Sequence, residues 1–255
     1  MDSRAAREEA YWNSAYQSTG SEHHRYLWSK HIEGQSYVGE RLQRLASGFR
    51  HKRILSLGGG VDRLGVRLAK ASNDIVTVDI SPVAAAATLD LAAREGVADR
   101  VTALVGPCEE IALDPEAFDL VITKRALHHM DIPRTVGRIR EVLVEGGLFL
   151  AEEPICLLPA LRWIHRQLPF HPNAPRTDDE RELTGGDLAL MRSTFASVAV
   201  EYFDFMTRES AAYVLDRLKM AWLLRPLGKL DHRLVNRGLP ILRHLSSYAL
   251  IEATK

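Results

Sequence analysis

The 255-residue sequence is poor in cysteine, with only Cys108 and Cys156. Two cysteines make no disulfide framework, so reduced thiols in a cytoplasmic protein are expected. No apolar run is long enough to cross a bilayer, and the charged opening stretch MDSRAAREEAYWNSAYQ lacks the apolar core of a signal peptide. Neither sign of charge dominates: 33 Lys and Arg balance 33 Asp and Glu, so no global field recruits nucleic acid or an anionic membrane. Internal repeats and low-complexity tracts are absent. His23, His24 and His31 lack the Cys or acid spacing of a metal set, and no metal is expected. What is present is an ordinary globular composition, 46% apolar and 26% charged, enough for one sizeable core in one α/β domain.

The organising stretch is RILSLGGGVDRLGVRLAKASNDIVTVDIS, residues 53–81. RILSL reads as a strand buried on both faces, the kind a parallel sheet needs. Gly58, Gly59 and Gly60 follow at once, which implies a turn through angles a Cβ would obstruct, or a close approach by a ligand. A helical apolar pattern through Leu64, Val66, Leu68 and Ala69 leads to a second strand, DIVTVD, ending on Asp79. That acid falls about twenty residues after Gly58, where a carboxylate can accept from two ribose hydroxyls. A nucleoside-containing cofactor is therefore expected. The dinucleotide fingerprint G-x-G-x-x-G fails in both registers, and the Gly-Lys-Ser/Thr of a P-loop is missing.

The turn resembles the first motif of the class I S-adenosylmethionine-dependent methyltransferases, typically (D/E)-x-G-x-G-x-G. Gly58 and Gly60 match, Ser56 stands in place of the opening acid, and Asp62 replaces the third glycine. The resemblance extends through residues 53–154 and the final strands. It implies a Rossmann-like seven-stranded sheet with helices on both faces, an antiparallel last strand and helical lid insertions. It also implies S-adenosylmethionine as cofactor and S-adenosylhomocysteine as product. Ser56, Gly58, Gly59 and Gly60 would meet the amino acid part of the cofactor, Asp79 the ribose and Ile80 the adenine. Cys108 and Glu109 stand beside Pro107, which occupies the place of the family's usual adenine-binding acid. For Glu109 a solvated loop carboxylate is an equal alternative.

Further along, SPVAAAATLDLAA opens with a capping serine and a proline suited to the first helical turn. VTALV (101–105) is the third strand and FDLVITK opens the fourth, whose exit carries Thr123, Lys124, Arg125, His128 and His129. Ligands bind beyond that end of an open parallel sheet. Lys124 is grouped with the cofactor contacts. His128 and His129 are candidates to take a proton from an incoming hydroxyl, against the alternative that one of them packs under the cofactor. Glu152 and Glu153 close the fifth strand with side chains on opposite faces, and Glu152 joins the catalytic candidates. Trp163, His171 and Arg176 are candidate substrate contacts in the next segment, with a solvated connector capping a helix at Thr184 the alternative for 171–184.

The resulting layout is a single domain. Residues 1–50 are expected as an N-terminal helical lid, and 51–154 as the cofactor-binding core. The resemblance implies that Tyr11, Trp12, Tyr16, Tyr26 and Trp28 of the lid cover the cofactor, with simple packing on the sheet an equal alternative. Substrate-side insertions span 155–195 and 207–245, and closing strands span 196–206 and 246–255. The leucine-rich 207–245 segment could roof a pocket, build a homodimer interface or lie on a membrane surface, with ordinary packing preferred. Methyl transfer to a small natural-product-type or apolar metabolite is the leading expectation, with O-methylation preferred. A weakened methyltransferase-fold binding protein and a cofactor-bound enzyme of another reaction type, such as a cyclase, are the alternatives. A nucleic-acid substrate is disfavoured, because no Asn/Asp-Pro-Pro-Tyr-type motif follows the fourth strand.

Overall fold

The computed structural model describes residues 3–17, 37–167, 180–205, 215 and 218–255. Strands β1 (Arg53–Leu57), β2 (Asp74–Asp79), β3 (Val101–Val105), β4 (Phe118–Lys124), β5 (Leu143–Pro154), β6 (Ser197–Phe203) and β7 (Tyr248–Thr254) form one sheet. Their order is β3-β2-β1-β4-β5-β7-β6, with β7 antiparallel to both of its neighbours and the pairs from β3 to β5 parallel. The chain winds outward from β1 to β3 and then returns to β4 on the other side of β1. This reversal opens a crevice at the carboxyl ends of β1 and β4.

Both faces of the sheet are covered, which is why its central strands are almost continuously apolar. Leu55, Leu57, Val121 and Phe149 pack on one side with Ile139 and Val142 of α5 (Ile132–Val142) and Leu188 and Met191 of α7 (Gly185–Thr194). Ile54, Leu120, Ile122 and Leu150 pack on the other with Val38 and Leu42 of α2 (Tyr37–Ala46) and Val66 and Leu68 of α3 (Arg63–Ala69). Helix α4 (Pro82–Arg94) starts from Ser81, whose hydroxyl caps the Ala84 amide, with proline in the first turn as expected. Thr184 caps α7 through a reciprocal pair with Asp187.

The sixth strand, Ser197–Phe203, is shorter than the expected closing segment 196–206. Phe195 caps the end of α7 and is buried, while Asp204 turns to φ 60 and stops the pairing. Within the 207–245 insertion, α8 (Leu224–Arg233) packs on α2 and β6. Glu201 on β6 joins these elements: it accepts from Arg41 of α2 and lies 2.8 Å from His232 Nε2 of α8. His232 is stacked on Phe203 with ring centres 4.7 Å apart. Among the described residues, no helix is long and apolar enough to cross a membrane.

Burial alone would raise the Glu201 pKa, but His232 and Arg41 outweigh it and bring it from 4.5 to about 2. A depressed carboxylate stabilises the fold above its unfolded pKa and loses that contribution as pH falls through the folded one. Discounted for its solvent exposure, the contribution is about 1–2 kcal/mol. Glu201→Gln should lower stability by about that amount at pH 7 and flatten the acid limb between about pH 4.5 and 2. Urea titrations of both proteins across that range measure the difference.

Candidate cofactor and acceptor site

The crevice holds a cavity of about 380 Å³, in the size range of small-molecule sites. Its floor is the glycine turn. Gly58 (φ 62) and Gly60 (φ 56) are in the left-handed region, and a Cβ at position 58 would lie 2.4 Å from Ala126 Cβ. Asp79 is buried at the end of β2, where its two oxygens accept from the Gly60 amide at 2.8 Å and the Ser81 amide at 2.9 Å. Burial raises its pKa, and those amides offset part of the rise. Each oxygen retains acceptor capacity for a further donor.

The acid missing at position 56 has a counterpart in space. Asp62 caps α3 by accepting from the Gly65 amide at 2.8 Å, and its own amide donates to Thr88 Oγ1. Its Oδ2 is buried without a hydrogen bond of good geometry. Burial pushes the Asp62 pKa up, against the Gly65 amide, the Ser56 and Thr77 hydroxyls and the charge of Lys124. Ser56, Asp62 and Lys124 all line the cavity. A carboxylate thus stands beside Ser56, supplied from the far end of the turn.

The exit of β4 is built on a strained residue. Arg125 takes φ 54, held by its amide to the Glu152 carbonyl at 2.7 Å and its Nε to Glu152 Oε1 at 2.9 Å. Its guanidinium also covers the Tyr248 ring at 4.7 Å. That turn aims the amides of Ala126 and Leu127 at Glu153 Oε1, at 3.1 and 3.0 Å, and sets His128 Nδ1 2.8 Å from Glu153 Oε2. Burial would raise the Glu153 pKa, but His128 and the two amides outweigh it and hold it low. The two glutamates do face opposite ways: Glu152 is buried behind Arg125, and Glu153 behind His128. Of the catalytic candidates, His129 is on the cavity wall, and His128 and Glu152 are set back from it.

Helix α1 (Ser3–Gln17) closes the other side. Trp12 and Tyr16 from the expected aromatic lid line the cavity, as do Arg4 and Glu8. Glu8 accepts from Trp12 Nε1 at 3.0 Å and lies 3.5 Å from His129 Nδ1. Burial disfavours a charged imidazole at His129, but Glu8, Glu180 and Glu153 outweigh it and raise its pKa. Arg4 pairs with Glu109 and donates to the His129 carbonyl at 2.6 Å. Glu109 is therefore no solvated loop carboxylate; its side chain is only 4% exposed.

Gly58, Gly59, Gly60, Ile80, Cys108 and Glu109 also line the cavity, so the expected cofactor contacts converge. Burial raises the Cys108 thiol pKa, with Asp79 and Glu109 adding to the rise. Trp163, on α6 (Pro159–Gln167), is 66% exposed and does not line the cavity. His171 and Arg176, with Tyr26 and Trp28, lie outside the described residues. Among the described residues of 218–245, none lines the cavity. Arg4 and Glu8 were not legible as site residues: Glu8 and Trp12 share a helix face at i,i+4 spacing, but nothing local says what that face meets.

Residues 55–151 match the family model described as a methyltransferase domain. An uncharacterized methyltransferase of Mycobacterium tuberculosis strain H37Rv is 34% identical over 96 residues, which are 38% of this chain and 37% of that protein. Among solved structures, geranyl diphosphate C-methyltransferase from Streptomyces coelicolor superposes with a TM-score of 0.61 at 14% identity, covering 99% of this chain and 98% of that one. A sarcosine dimethylglycine methyltransferase of Galdieria sulphuraria, itself a provisional assignment, gives 0.57 at 15% over 86% and 84%. The [4+2]-cyclase SpnF gives 0.54 at 18% over 85% and 80%. Residues 55–151 thus match a methyltransferase-domain model, and the fold of the whole chain is the one shared by these solved structures.

Proposed function

We propose that the protein transfers a methyl group from S-adenosylmethionine to a small-molecule acceptor, with a hydroxyl as the acceptor group. The observation that carries this reading is Asp79: a buried carboxylate at the end of β2, tied to the amide of the glycine turn and facing the cavity. Methyl transfer from a sulfonium asks the protein mainly for alignment of donor and acceptor. The cofactor supplies, when bound, a methyl group activated by positive sulfur.

The chain's own residues divide the positioning. Asp79 accepts from the ribose hydroxyls, while Ile80, Pro107 and Cys108 flank the adenine. Gly58 and Gly60 let the backbone come close to the amino acid part, and Asp62 with Ser56 receives its ammonium. Trp12, His129 and Met130 bound the acceptor side and exclude water. This assignment weighs against a protein weakened by its altered motif, because the charge absent at position 56 is present at Asp62. The resemblance to a cyclase shows that the fold is shared with an enzyme of another reaction type, so transfer itself is the deciding assay.

Loss of charge at Asp79 removes two charge-assisted hydrogen bonds to the ribose, each worth about 1.5 kcal/mol or more. Asp79→Asn should weaken S-adenosylhomocysteine binding roughly 100-fold by calorimetry. Unchanged affinity in a folded variant would remove the ribose assignment. Transfer of labelled methyl to an acceptor panel of phenols, alcohols and amines then tests the reaction.

Asp62→Asn separates stability from binding. Asparagine keeps an oxygen for the Gly65 amide and takes a charge out of a buried site, so the Tm should hold or rise. The same change should weaken S-adenosylhomocysteine binding roughly tenfold through its ammonium. Equal affinity in the variant would leave Asp62 as a helix cap alone.

A further inference from the structure

We propose that His128, His129 and Glu180 bind a divalent transition-metal ion on the acceptor side of the cavity. One potential ligand atom from each lies within 4.8 Å of the other two. His128 Nε2 and Glu180 Oε1 are 3.8 Å apart, against about 3.4 Å for neighbouring ligands on a tetrahedral ion with bonds near 2.1 Å. A small rotation of the side chains closes that gap. The spacing along the chain predicts no metal set because Glu180 arrives from the segment leading into α7, far from the histidine pair.

A second, independent observation is the buried carboxylate behind the pair. Glu153 uses Oε1 for two amides and presents Oε2 to His128 Nδ1. With Nδ1 engaged by Glu153 Oε2, the other ring nitrogen, Nε2, is the one that faces Glu180. Carboxylate–imidazole pairs of this kind fix the orientation of metal-ligating histidines. Glu8 adds a third carboxylate, 3.5 Å from His129 Nδ1. Glu8, Glu153 and Glu180 thus bring three carboxylates to two imidazoles. The Arg181 guanidinium, next in sequence to Glu180, is held by both oxygens of Asp187.

Two imidazoles and one carboxylate suit zinc or another first-row divalent ion and leave coordination positions open. His129 belongs to the cavity wall, so an open position at the cavity's edge can take an oxygen of the acceptor. That use deepens the methyl-transfer reading and rests on it, but the metal site does not. A metal ion held there would polarise the acceptor hydroxyl, and the Glu8 carboxylate on the cavity wall would take the proton released on methyl transfer.

The test uses the full chain without an affinity tag, stripped by chelator and then titrated with Zn²⁺ by calorimetry and with Co²⁺ by visible d–d absorption. One equivalent should bind. Glu153→Gln should weaken Zn²⁺ roughly 10–100-fold, and His128→Ala and Glu180→Ala should weaken it more. His232→Ala, in the α2–α8 contact, should leave metal affinity unchanged. Glu180 is partly exposed, so its variant remains informative if His128→Ala fails to fold. Absence of stoichiometric uptake, or uptake equal in Glu180→Ala and wild type, would sink the site and return His129 to the role of an imidazole base. Failure of S-adenosylhomocysteine to bind metal-loaded protein would instead remove the methyl-transfer reading and leave the metal site standing.

Discussion

The constraint on which the site depends is the burial of carboxylates at the carboxyl edge of the sheet. Asp62, Asp79, Glu152 and Glu153 are all buried there. An isolated ionised carboxylate in that position costs several kcal/mol, so each must be met by local donors. Asp79 has the Gly60 and Ser81 amides, and Asp62 has the Gly65 amide. Glu152 has Arg125, and Glu153 has two amides and His128. Meeting these demands fixes the backbone. The glycine turn, the left-handed Arg125 and the turn through His128 and His129 are the shapes that bring donors to those acids. Each acid beneath the cavity is thus paired by the backbone shape around it.

Helix α1 is held by a different logic. Its Arg4 pairs with Glu109 and the His129 carbonyl, and Glu8 lies beside the His129 ring. Tyr16 sits over the glycine turn, its hydroxyl 2.3 Å from where a Cβ on Gly60 would be. These groups are largely buried, and Ala5 and Ala15 of the same helix are buried with them.

The sheet was legible in the sequence because strands buried on both faces leave uninterrupted apolar runs between glycine, proline and serine. Asp79 was legible because its distance from Gly58 is set locally, by one helix and one strand. The caps at Ser81 and Thr184 were equally local. Glu8, Arg4 and Glu180 were not, since their roles depend on contacts between distant parts of the chain that no periodicity encodes. Asp62 shows a third case. Counted along the chain, it is a departure from the glycine motif; in space, it restores a carboxylate beside Ser56. Motifs read by position miss exchanges that conserve charge at a point.

That exchange bears on how the site tolerates change. A third glycine in the family's pattern leaves the start of α3 without a side-chain cap, and an opening acid at position 56 places its charge on the strand. Here Asp62 caps α3 through Oδ1 and holds Oδ2 buried against Gly65, on a residue that lines the cavity. Coupling cap and charge means that orientation of the carboxylate is set by the helix itself, with Gly65 as the point of registration. A Cβ on Gly65 would lie 2.3 Å from Asp62 Oδ2, so this glycine is required by the acid and not by the turn. The altered motif is therefore an internally consistent solution: Ser56, Asp62 and Gly65 form one unit, and any of them can be understood only with the other two in place.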